Sequence, residues 1–182
     1  MNAEISRGQA MYRTRREELE AGMMSHPMPV KKAFAYFGLM LGAFPPAAIF
    51  SKFFSRGSEE IGLFLFLLLI NLVCSAAGYF SGKLIGKMVW EMENRSWNLM
   101  LLALPFIGML WGFIAGGAGG VLFFVIGAFF GAAIAAMVGA VAVPAFAVFH
   151  RLLKKGEMIE RNQFLPLAFG ISLIISAFIL GL

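Results

Sequence analysis

Charged residues are scarce in this sequence, and aspartate is missing altogether. Only 14% of the 182 residues are charged, whereas about a quarter is usual for a soluble domain. The stretches without charge are long: 19 residues follow Lys32, 22 follow Glu60, 55 follow Arg95 and 21 follow Arg161. Because a helix needs about 20 apolar residues to cross a bilayer, these gaps predict five transmembrane helices, two of them in the longest gap.

Cysteine and the familiar catalytic patterns are equally sparse. Cys74 is the only cysteine, so an internal disulfide is excluded. The two histidines, His26 and His150, lie in different segments, and neither belongs to a metal-binding or acid–base pattern. The middles of the expected spans carry no acidic or basic residue of the kind that marks a proton or ion path. We therefore expect a protein that is not an enzyme and that holds no cofactor or metal.

The basic residues are distributed unevenly between the expected loops. With the N-terminus in the cytoplasm, 13 of the 15 Lys and Arg residues fall on the cytoplasmic side, as the positive-inside rule requires. The expected topology is N-in and C-out, in a bacterial inner (cytoplasmic) membrane. Contact with anionic lipid then accounts for the net charge of +5 without any nucleic acid. The residues expected to contact lipid headgroups are Lys83, Lys87, Arg95, Arg151, Lys154 and Lys155.

Two regions follow from this pattern. Residues 1–32 form a cytoplasmic N-terminal arm, with a short helix expected over 2–24. Residues 33–182 form an all-α membrane protein, a polytopic bundle of about five transmembrane helices. The expected spans are 33–50, 61–81, 98–115, 121–149 and 164–182.

The two remaining segments of the bundle carry the cytoplasmic charge. Segment 82–96 has cations on one helical face together with Trp90 and Trp97, and this composition favours the membrane–water interface. Residues 150–163 form the expected second cytoplasmic loop.

Small residues recur every four positions in the expected helices. Residues at this spacing share one helix face, and small side chains let helix backbones approach closely in lipid. The pattern predicts glycine-zipper packing, within one chain or between chains. The glycines expected at these contacts are Gly78, Gly82, Gly86, Gly108, Gly112, Gly116, Gly120, Gly127, Gly131 and Gly139.

Two weaker patterns would suit a transport path. Asn71, Ser75 and Tyr79 fall at i, i+4 and i+8, where they line a polar stripe or bond to a neighbouring helix. Residues 44–54 and 143–153 share Pro, Ala and Phe, and the expected topology orients them oppositely. Inverted repeats of this kind occur in transporters, although chance similarity between apolar segments also explains the match.

The sequence contains many small-residue patterns that are typical of helix packing and no catalytic pattern. This combination favours a non-enzymatic structural or accessory subunit. Such a subunit would pack through its small-residue helix faces into a larger membrane assembly, against other subunits or copies of itself. The alternative is a homo-oligomeric channel or small-solute transporter, which the mid-span prolines and the polar stripe would suit. A membrane enzyme acting on lipid has only the basic interfacial segment in its favour.

Overall fold

The computed structural model describes residues 26–54, 60–93 and 96–182, and about 90% of these residues are helical. The chain is an all-α helical bundle, as the composition predicts. The expected helix over 2–24 lies outside the described residues. The described helices are α1 (Val30–Phe54), α2 (Ile61–Glu93), α3 (Trp97–Gly120), α4 (Phe124–Leu153) and α5 (Arg161–Leu180). Two three-residue strands complete this part of the chain, β1 (Pro27–Pro29) and β2 (Met158–Glu160).

Four helical segments are long and apolar enough to cross a membrane. They are Val30–Lys52, Ile61–Glu93, Trp97–Leu153 and Arg161–Leu180. The third, of 57 residues, folds back on itself through a single 3-10 turn at Val121–Phe123. These long apolar helices indicate a membrane-embedded protein.

Successive helices run in opposite directions. In the α1–α2 hairpin, Gly38 lies against Gly78 and Gly42 lies against Cys74, so the two helices are antiparallel. The pairing of Glu93 with Lys154 joins the end of α2 to the end of α4.

Helix α5 runs parallel to α1. The rings of Phe44 and Phe169 lie 5.2 Å apart, and Lys52 Nζ donates to the carbonyl of Ile179 at 2.7 Å. Residues later in α1 therefore contact residues later in α5, as parallel helices require.

The strands show which helix ends meet. Met28 of β1 pairs with Ile159 of β2 in antiparallel register, and the Arg161 N–H donates to the His26 carbonyl at 3.1 Å. The starts of α1 and α5 therefore lie at the same end of the bundle, with the ends of α2 and α4. We call this the β end, and the opposite end, where Val121–Phe123 lies, the turn end.

Helix boundaries differ from the expected span boundaries where tertiary contacts hold the backbone. Helix α2 continues through 82–93 without a break, because Gly82 and Gly86 lie against the start of α1. The glycine-rich residues 116–120, which separate the third and fourth expected spans, are helical instead. Gly116 and Gly120 there lie against α4, so the reversal comes one residue later, at Val121–Phe123.

The core of the bundle is aromatic and lies toward the β end. Phe37 of α1 stacks on Phe146 of α4 with ring centroids 4.1 Å apart. Phe34 and Phe164 meet the same Phe146 edge-on. All four side chains are buried, so α1, α4 and α5 share one packed centre.

We expect Gly112→Leu to destabilise the fold by about 1–3 kcal/mol or more, the usual range for an overpacked core. Even a Cβ at this position would overlap the backbone of Ala135. The matched control is Gly170→Leu on α5, where a Cβ meets nothing within 4 Å. Reversible unfolding in mixed detergent measures both variants, and equal midpoints would contradict the assignment.

Candidate functional site

The α3–α4 hairpin is a contact between two backbones. Four pairs oppose each other in antiparallel register: Gly108 with Gly139, Gly112 with Ala135, Gly116 with Gly131, and Gly120 with Gly127. A side chain at any of these glycines would collide with a carbonyl or a Cβ of the facing helix. The repeat of four residues in both helices gives this register, since residues four apart share a face.

The glycines of α2 make the corresponding contacts with α1. Gly78 faces Gly38, while Gly82 and Gly86 face the backbone or Cβ of Phe34. All ten glycines expected from the sequence therefore lie at contacts between helices of one chain.

Trp111 of α3 joins the two hairpins. Its indole Nε1 donates to the carbonyl of Gly78 at 3.2 Å, and only 3% of the residue is exposed. The absent side chains of Gly38 and Gly139 leave room for the ring. A buried indole needs this acceptor, so the hydrogen bond fixes how α3 sits on α2.

Toward the turn end, the same helices leave an apolar cleft of about 600 Å³. The cleft begins at Trp111 and reaches Gly120 along α3, with Pro45 of α1, Leu67 of α2 and Ile134 of α4 on its other walls. Nine residues of helix rise about 14 Å, close to half of the roughly 30 Å hydrocarbon core. None of the described residues that line it is charged.

The small residues explain why this volume is unfilled. Gly116, Gly127 and Gly131 line the cleft as well as the hairpin contact, so their helices present backbone where other helices present side chains. Cys74 also lies on the wall, against Gly119. The lining suits an apolar molecule or segment, and it offers no acid–base pair for catalysis.

A buried ionic cluster closes the β end. Glu93, the last residue of α2, places Oε1 3.2 Å from Nδ1 of His150, and its Oε2 pairs with Lys154. The side chains of Glu93 and His150 are fully buried, whereas that of Lys154 remains 19% exposed. The cluster joins the ends of α2 and α4, and none of its residues lines the apolar cleft.

Two of the expected headgroup contacts are engaged inside the protein. Lys154 pairs with Glu93, and the Arg151 guanidinium lies 4.1 Å from the Trp97 ring centroid. The NH1 nitrogen of Arg151 also donates to the sulfur of Met100 at 2.9 Å. These contacts fasten the end of α4 to α2 and α3.

The remaining expected headgroup contacts are exposed where they are described. Lys83, Lys87 and Lys155 all have exposed side chains. Arg95 lies outside the described residues.

The polar stripe of α2 makes local contacts. Ser75 Oγ donates to the carbonyl of Asn71 in the same helix at 2.7 Å. The Tyr79 ring meets Tyr36 of α1 edge-on at 5.8 Å. Asn71, Ser75 and Tyr79 are not among the residues that line the cleft, so the described geometry does not join the stripe to it.

Glu93 and its partners went unnoticed in the sequence because they are 57 and 61 residues apart. No periodic pattern links such distant positions. The only available signal was a pair of acids, Glu91 and Glu93, at the end of a long apolar helix, of which one side chain is exposed and the other buried.

We expect Glu93→Ala to lower the free energy of unfolding by about 3 kcal/mol, near the lower end for breaking a buried ion pair. The loss leaves His150 and Lys154 without their acid, although Lys154 can turn toward water. Glu91→Ala removes an exposed acid from the same helix and is expected to change little. A similar loss in both variants, measured by detergent unfolding, would contradict a specific role of the cluster.

The described residues contain no group of three or more His, Cys or acidic side chains that could hold a metal ion. No protein-family model, curated protein or solved structure matches the chain significantly.

Proposed function

We propose that the chain crosses a bacterial inner membrane five times, with its N-terminus in the cytoplasm and its C-terminus outside. Five helices of alternating direction support this arrangement, because each is at least 20 residues long and about 20 apolar residues suffice to cross. Basic residues gather at the β end, where Lys31, Lys32, Lys155 and Arg161 lie. The β end is therefore the cytoplasmic end in this proposal.

We further propose that the protein is a non-enzymatic structural or accessory subunit of a larger membrane assembly. The supporting observation is the apolar cleft. The glycine rows that the sequence offered as partner surfaces are occupied by helices of the same chain. A partner must therefore use another surface, and the cleft is a large apolar volume that the described side chains leave unfilled.

The shape of the cleft favours a transmembrane segment of another chain as its occupant. Its length of about 14 Å equals two to three helical turns. Its walls are apolar, with Pro45, Leu67 and Ile134 among them, so the apolar side chains of such a segment would pack against them. In hydrocarbon such packing supplies the attraction, because no hydrophobic drive acts between helices.

A homo-oligomeric channel or small-solute transporter is the second candidate, and the cleft also favours it. A volume of about 600 Å³ lies within the usual range for small-molecule pockets. Its lining selects an apolar solute and not an ion. The stacked pair Phe37–Phe146 and buried Trp111 lie between the cleft and the β end, so transport requires these side chains to move.

A photoreactive phenylalanine analogue at position 134 tests the subunit proposal. Ile134 lines the cleft and is 47% exposed. Phe106 is 68% exposed on α3 and does not line the cleft, so the same substitution there is the control. We expect irradiated membranes to give an adduct with another polypeptide from position 134 only.

Lipid adducts alone at both positions would contradict the subunit proposal. Flux of an apolar dye through liposomes that contain only this protein would then support the transporter. Such flux is expected to be absent if the cleft serves a partner.

Reporter fusions test the proposed topology. A reporter after Leu182 is expected to be active outside the cytoplasm, and one inserted after Lys155 inside it. Lys155 is exposed in the turn before β2, which makes it a suitable control site. A cytoplasmic signal from the Leu182 fusion would contradict the proposed topology, because the chain would then cross the membrane one time fewer.

A further inference from the structure

A second pocket, of about 450 Å³, lies at the β end between the starts of α1 and α5. Lys32, Tyr36 and Met40 line it from α1, and Arg161 and Leu165 line it from α5. It shares no lining residue with the apolar cleft. The two pockets are therefore separate features at different depths of the bundle.

The upper rim of this pocket is electropositive. Lys32 and Arg161 both have exposed side chains on it. Helices α1 and α5 both begin there, and the start of a helix carries a partial positive charge. An anion is favoured at such a rim.

The lower part of the pocket is apolar. One turn below Lys32 on α1 lies Tyr36, and one turn further lies Met40, since residues four apart share a helix face. On α5, Leu165 follows Arg161 at the same spacing. The Lys32 Nζ lies 6.0 Å from the Tyr36 ring centroid, so the cation sits directly over the apolar wall. The cations lie at the rim near the β end and the apolar side chains lie deeper in the pocket. This order matches that of the charged headgroup and the acyl chain of a phospholipid.

The strands hold this pocket in shape. Main-chain pairing of Met28 with Ile159 ties the segment before α1 to the segment before α5. The bond from the Arg161 N–H to the His26 carbonyl, 3.1 Å long, lies on the pocket itself. The backbone segments that carry the two cations are therefore tied together at this end of the bundle.

We propose that this pocket binds one anionic phospholipid, with its phosphate between Lys32 and Arg161 and an acyl chain along Tyr36, Met40 and Leu165. Basic pockets between membrane helices are suited to anionic headgroups. The site is additional to the proposed subunit function and does not depend on what occupies the apolar cleft.

Native mass spectrometry of the full chain in detergent, titrated with phosphatidylglycerol, tests the proposal. We expect Lys32→Gln/Arg161→Gln to weaken binding of the first lipid by about tenfold or more, because each cation near an anionic surface contributes to attraction. The control Lys31→Gln is compared with Lys32→Gln alone: it removes the same charge from the adjacent exposed position on α1, outside the pocket lining, and is expected to leave that binding unchanged. The side chains of Lys31, Lys32 and Arg161 are all exposed, so the variants are expected to fold, and their unfolding midpoints verify this.

Two further arms distinguish the ligand. Phosphatidylcholine is expected to bind far more weakly than phosphatidylglycerol, and soluble glycerol phosphate is expected not to compete. Equal loss in the control variant would overturn the proposal, since surface charge alone would then explain binding. Equal binding of phosphatidylcholine, or competition by glycerol phosphate, would also overturn it.

Discussion

The close approach of helix backbones at glycine is the constraint on which the rest of the structure depends. In the α3–α4 hairpin, four glycine-containing pairs bring carbonyl oxygens of one helix against the backbone of the other. Such contacts supply attraction where lipid removes the hydrophobic drive. Because the pairs recur at one spacing in both helices, they fix the antiparallel register, and that register places the reversal at Val121–Phe123.

The other features follow from how the two hairpins meet. Trp111 and the aromatic cluster around Phe146 fill the space between them toward the β end. The Glu93–His150–Lys154 cluster then closes that end with charge. Toward the turn end, walls built of glycine and alanine leave the apolar cleft. The small residues that permit the hairpin contact therefore also create the apolar cleft beside it.

Periodic features of this chain could be read from its sequence, and pairings between distant residues could not. Charge-free stretches indicated long apolar helices, and the four-residue glycine rows indicated helix faces that make close contact. A four-residue spacing shows which residues share a helix face, but it does not show which helix packs against that face. It therefore left open whether Gly112 contacts its own chain or another chain. The pairing of Lys154 with Glu93 and of Arg151 with Trp97 could not be predicted, because the partners are more than 50 residues apart in the sequence. The helical state of 116–120 was equally hidden, since glycine favours turns until a facing helix holds it straight.

The distance between spin labels at Leu101 and Phe149, measured by pulsed electron–electron double resonance, tests the backbone contact most directly. Both side chains are about half exposed near the β end, and a Cys74→Ala background removes the native thiol. Antiparallel packing at an interaxial distance of about 8–10 Å is expected to give a short distance that persists when labelled protein is diluted with unlabelled protein. A distance near 70 Å, about 1.5 Å for each intervening residue of one straight helix, would contradict the hairpin. Loss of the short distance on dilution would place the glycine contacts between chains.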